Sequence, residues 1–97
     1  MMREVLSVLA PKPGQVIVDC TLGLGGHSAA ILRHINPNGR LIGIDFDPGN
    51  IELARKELQL VGGTYDLFHT NFAGLPKVLA EAGIERVDAV LADIGVA

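Results

Sequence analysis

Apolar and polar positions along this chain fall into short blocks whose period changes in a regular order. Val16 to Cys20 is almost wholly apolar, the pattern of a strand buried on both faces. From Gly26 to Ile35 the apolar residues Ile31, Leu32 and Ile35 recur at helical spacing, and Asn36-Pro37-Asn38-Gly39 stops the helix. Leu41 to Ile44 reads as a second strand. Asp47 is placed to cap the next helix, with Pro48 at its first position, where the missing N–H costs nothing. That helix carries Ile51, Ala54 and Leu58 on one side and runs to Gly62-Gly63. Tyr65 to His69 predicts a third strand, Leu75 to Ala82 a helix, and Val87 to Ala92 a fourth strand. Ahead of them, Arg3 to Leu9 reads as a short helix halted by Pro11 and Pro13. Strands alternating with helices through short connections imply an α/β fold: a parallel sheet, right-handed crossovers and helices on both faces.

Composition narrows the picture. With 97 residues and 48% apolar content, the chain holds enough apolar surface for one small domain with a thin core. No apolar run approaches the ~18 residues of a membrane span. A single cysteine excludes an internal disulfide and suits a reducing, cytoplasmic setting. The net charge of −3, with Arg33, Arg40, Arg55, Lys56, Lys77 and Arg86 scattered, supplies no basic face for a nucleic acid.

The richest segment for chemistry is Asp19-Cys20-Thr21-Leu22-Gly23-Leu24-Gly25-Gly26-His27-Ser28, set where the first strand gives way to a helix. Its glycines permit a sharp turn and close approach of a ligand. The helix that follows directs free N–H groups toward a negatively charged group. A dinucleotide fingerprint, Gly-x-Gly-x-x-Gly, would need a third glycine where Ser28 stands. The acid four residues before the first glycine fits instead the methyltransferase pattern, acid-x-x-x-Gly-x-Gly.

Taken with Pro11-Lys12-Pro13-Gly14, Arg40-Leu41-Ile42-Gly43-Ile44-Asp45-Phe46-Asp47-Pro48, Asn71-Phe72 and Val87-Asp88-Ala89-Val90-Leu91-Ala92-Asp93-Ile94-Gly95-Val96, this segment resembles one family over essentially the whole chain. The chain is similar to the N-terminal part of the bacterial 16S ribosomal RNA cytosine-N4 methyltransferases, which use S-adenosylmethionine. The resemblance implies a Rossmann-like methyltransferase fold with spatial strand order 3-2-1-4. It further implies that residues 1–97 form the cofactor-binding part of a class I methyltransferase domain that is truncated after the fourth strand. Strand four would then be an open apolar edge, able to self-associate.

In that frame Asp45, at the end of the second strand, is placed to accept the ribose hydroxyls of an adenosyl group. Gly25, Gly26 and His27 would face the methionine portion, and Phe72 would border the adenine. Asp93, closing the fourth strand, would meet the cofactor amine or orient the acceptor amine, and is the one catalytic candidate. Cys20 reads as a small buried residue. His27, His34 and His69 have no structural-zinc spacing, so no metal is expected. The RNA-facing residues are expected beyond position 97, with 16S RNA in the small ribosomal subunit as partner. Three alternatives remain open on the residues alone: a small-molecule methyltransferase, an NAD(P)-dependent reductase, and a non-catalytic module that binds adenosyl ligands or a partner.

Overall fold

The computed structural model describes residues 10–22 and 27–92. In chain order these form β1 (Val16–Asp19), α1 (His27–Ile35), β2 (Arg40–Asp45), α2 (Pro48–Val61), β3 (Thr64–His69), a 3-10 turn (Phe72–Gly74), α3 (Leu75–Glu81) and β4 (Ala89–Leu91). The helix expected over Arg3–Leu9 lies outside the described residues. All pairings are parallel, and the spatial order is β3-β2-β1-β4, as the family resemblance implies.

Strand alternation sorts the apolar residues onto two faces. Ile17 and Leu41, paired in register, look toward α1 and α2, where they pack with Ile31, Leu32, Ile35 and Leu58. Val18, Ile42 and Ile44 look the other way and meet Leu75 and Val78 of α3. Helices therefore cover both faces, and the central strands β1 and β2 are buried on each side. Burying one isoleucine of this kind contributes about 1.5–3 kcal/mol, which makes this strand pair the anchor of the fold.

The helix limits follow local chemistry. Asp47 adopts an extended backbone, and its carboxylate accepts the Gly49 N–H at 2.8 Å, so it caps α2 as its sequence position predicts. Gly62, at φ +81°, ends that helix by donating its N–H to the Leu58 carbonyl at 2.9 Å. β4 is shorter than the expected Val87–Ala92. Asp88 breaks its start, accepting the Val16 N–H on its carboxylate at 2.7 Å while its own N–H bonds the Val16 carbonyl, also at 2.7 Å. A side chain thus does the work of a backbone carbonyl at that end of the ladder. The 3-10 turn was not expected. Asn71 creates it by accepting the Gly74 N–H at 3.2 Å.

Candidate functional site

Because all four strands are parallel, their carboxyl ends gather along one edge of the sheet, and the chemistry-bearing residues gather with them. β1 ends in Asp19, β2 in Asp45, and β3 runs through His69 into Thr70, Asn71 and Phe72. An open cleft of about 460 Å³ lies there. Its walls include Cys20 beyond β1, Asp45 and Phe46 beyond β2, Asn71 and Phe72 beyond β3, and Ala92 beyond β4. The volume falls within the range of about 300–1,000 Å³ typical of small-molecule sites.

Asp45 sits half-buried in this wall. Its Oδ1 accepts the Asp47 N–H at 2.7 Å, and the Asn50 amide stands at 3.3 Å from Oδ2. These bonds fix the carboxylate at the strand end and leave it acceptor capacity toward the cleft, since a carboxylate has about four lone-pair sites. Its neighbour Asp47 is engaged with the α2 cap instead. The two acids, two residues apart, are thereby separated in role by geometry. Phe72 opens the 3-10 turn with 60% of its surface exposed. His27 begins α1 and is half-buried. Gly25, Gly26 and Asp93 lie outside the described residues.

Asp19 was singled out in the sequence only as the acid of the glycine-loop pattern, yet its side chain is completely buried. Its Oδ1 accepts both the backbone N–H and the hydroxyl of Thr21. Its Oδ2 has no partner among the described residues, and neither does the buried Nδ1 of His27. A buried polar atom left unpaired costs about 1–3 kcal/mol. Burial raises the Asp19 pKa above the ordinary carboxylate value, against the lowering effect of the two Thr21 bonds; the charges of His27 and Asp45 act in opposite senses. Cys20, next along, has its thiol pushed up to about 11, chiefly by burial and then by the charge of Asp19. It lines the cleft as a neutral thiol. The other imidazoles are occupied locally: His34 Nδ1 lies 2.8 Å from the Ala30 carbonyl, and His69 Nε2 is 2.9 Å from that of Phe46. Among the described residues no three His, Cys, Asp or Glu side chains come together as metal ligands.

The cleft therefore offers a carboxylate at a strand end and two exposed phenyl rings. This set fits a nucleoside: hydroxyls for Asp45 and a flat base for the rings. Among the described residues no Lys or Arg lines the cleft to meet a nucleotide phosphate.

Comparison with known proteins places the chain in a family. The model of the MraW methylase family matches residues 1–97. The ribosomal RNA small subunit methyltransferase H of Dictyoglomus thermophilum is 44% identical over 95 residues, covering 98% of this chain and 32% of the relative. That of Geobacter sulfurreducens is 47% identical over 96 residues, covering 99% of this chain and 31% of the relative. The chain thus spans about a third of the length of these curated relatives. Among solved structures, a methyltransferase homologue from Pyrococcus horikoshii superposes with a TM-score of 0.63 at 24% identity, over 73% of this chain and 24% of that one. The C-terminal domain of precorrin-6Y C5,15-methyltransferase from Rhodobacter capsulatus gives 0.64 at 24% identity, over all of this chain and 50% of that domain. At such identity these two structures establish the fold alone.

Proposed function

Since this chain belongs to the MraW methylase family along its whole length, we propose that it forms the S-adenosylmethionine site of an enzyme that methylates the N4 amino group of a cytidine in 16S ribosomal RNA. The observation that carries this reading is the cleft at the carboxyl edge of the sheet. There Asp45 and Phe72 line one cleft, a carboxylate for hydroxyls beside a ring for a flat base.

When bound, the cofactor supplies an electrophilic methyl group on a sulfonium centre. The residues of this chain hold and orient. Asp45, fixed by the Asp47 N–H, accepts the ribose hydroxyls. Phe72 lies along the adenine. Gly25, Gly26 and His27 are assigned to the methionine portion. Asp93 is assigned to the junction between cofactor and acceptor amine. Cytosine's exocyclic nitrogen is a weak nucleophile because its lone pair is delocalised into the ring. Placement and proton removal are therefore what the protein must provide. The net charge of −3, with the basic residues scattered along the sequence, leaves 16S RNA and the small subunit to be bound chiefly by other parts of such an enzyme. The setting is the bacterial cytoplasm, where ribosomal subunits are found; no helix among the described residues is long and apolar enough to cross a membrane.

Calorimetric titration tests the cofactor part: S-adenosylhomocysteine should bind at one site and NAD should not. Tritiated methyl transfer to small subunits, followed by nuclease digestion, tests the acceptor. Label appearing in N4-methylcytidine supports the proposal, and label in any other nucleoside refutes it.

A further inference from the structure

The geometry points to His69 as a positioning residue that fixes the ribose-binding carboxylate of Asp45, acting through the Phe46–Asp47 peptide. The assignment rests on the cofactor reading above and deepens it, bringing in a side chain that lies outside the cleft wall.

His69 ends β3 and is the in-register partner of Asp45, which ends β2. The Thr70 N–H donates to the Asp45 carbonyl at 3.0 Å. Beyond that bond β2 leads into α2 and β3 into the 3-10 turn. One side chain reaches back across the gap: His69 Nε2 lies 2.9 Å from the Phe46 carbonyl. A carbonyl only accepts, so Nε2 carries the proton and donates it. That carbonyl belongs to the same peptide unit as the Asp47 N–H, which donates to Asp45 Oδ1 at 2.7 Å. A peptide unit is planar and rigid, its C=O and N–H pointing in opposite directions. Holding the carbonyl therefore aims the N–H, and the N–H holds the carboxylate. Each bond in such a chain also polarises the next.

Two comparisons set this bond apart from local packing. His34 also meets a carbonyl, at 2.8 Å, but it is that of Ala30, one turn back in its own helix. The His69 bond spans 23 residues of sequence and ends one bond from the acid of the cleft. The other brace on Asp45, the Asn50 amide, stands 3.4 and 3.3 Å from its two oxygens, longer than an ordinary hydrogen bond. The Asp47 N–H is thus the short bond that orients the carboxylate, and His69 is what orients that N–H. His69 itself does not line the cleft, whose wall passes from Asp45 and Phe46 to Thr70, Asn71 and Phe72. Contact with the ribose is left to Asp45. The imidazole also rests against the Phe46 ring, centroids 5.8 Å apart and planes inclined by 40°, so ring contact and hydrogen bond must be tested separately.

Two substitutions separate them. His69→Phe keeps a ring and removes the donor, whereas His69→Gln removes the ring and keeps an N–H donor on a side chain of similar reach. In calorimetry His69→Phe should bind S-adenosylhomocysteine about 3- to 10-fold more weakly, the worth of one net hydrogen bond. His69→Gln should recover most of that loss. In an Asp45→Ala background His69→Phe should weaken binding no further, because the carboxylate it acts through is gone. In the wild type, proton–nitrogen correlation NMR should find the neutral His69 ring protonated on Nε2. Wild-type affinity of His69→Phe, or a glutamine variant that binds no better than the phenylalanine one, overturns the inference while the cofactor reading stands. A full additional loss on top of Asp45→Ala, or a neutral ring protonated on Nδ1, does the same. A wild-type protein that does not bind S-adenosylhomocysteine overturns the cofactor reading, and this inference with it.

Discussion

Replacing Asp45 and Asp47 separately by alanine should damage two different properties. Asp45 lines the cleft and accepts the Asp47 N–H on its Oδ1, whereas Asp47 accepts the Gly49 N–H on its carboxylate at the start of α2. Hydrogen bonds to a charged acceptor are worth about 1.5–3 kcal/mol. Asp45→Ala should therefore weaken S-adenosylhomocysteine by about 10- to 150-fold, at 1.4 kcal/mol per decade. Asp45→Asn keeps an oxygen for the Asp47 N–H but loses the charge, and should fall between alanine and wild type. Asp47→Ala removes a helix cap worth about 1 kcal/mol. In a domain of this size that lowers the melting temperature by about 4–8 °C, with affinity unchanged. Calorimetry reads the first effect and thermal circular dichroism the second. The reasoning fails if the two alanine variants weaken the ligand equally, or if Asp47→Ala is the one that loses binding.

Two further outcomes follow from the buried groups behind the cleft. Burial raises the folded-state pKa of Asp19 above its unfolded value, so its contribution to stability is full below the unfolded pKa near 3.8 and is lost as pH rises through the folded pKa. Urea unfolding should accordingly show Asp19→Asn gaining stability relative to the wild type between pH 4 and pH 7, and a pH-independent difference would contradict the burial argument. Cys20, with its thiol pushed from 9.0 to about 11, should react with iodoacetamide at neutral pH roughly 100-fold more slowly than an ordinary thiol. S-adenosylhomocysteine should slow it further, as Cys20 lines the cleft; a rate unaffected by ligand would place the ligand elsewhere.

The fold and the site were legible in the sequence to different depths. Strand and helix identities came from apolar period, and the Asp47-Pro48 and Gly62-Gly63 signals located both ends of α2 because each has a local cause. Strand order did not come from period. It depends on which strands meet in space, and only resemblance to a family supplied it. β4 was read too long because apolar content does not reveal that Asp88 replaces a ladder bond with a side-chain bond. Asp45 was singled out from its place at a strand end, and it lies in the cleft wall. Asp19 was seen as part of a pattern, but its burial and unpartnered oxygen depend on what packs around it. Phe46 was read only as part of a motif between two acids, and its exposure at the cleft depends on how the chain turns outward after β2.

The clasp between Asp88 and Val16 also bears on the order in which the sheet assembles. Pairing of β1 with β2 and of β2 with β3 joins positions 16 to 40 and 40 to 64, 24 residues apart in each case. The clasp joins residues 72 apart. Closing that longer loop costs roughly 1 kcal/mol more in chain entropy, and it brings in a strand of only three residues, Ala89–Leu91. The three-strand unit from β1 to β3 can therefore zip up first, with β4 docking afterwards onto a finished edge. In the native state the same asymmetry makes the β1–β4 seam the part of the sheet that opens most readily. Amides of β4 should exchange with solvent ahead of those in β2, and the Ala92 side of the cleft should open and close while the Asp45 side holds still.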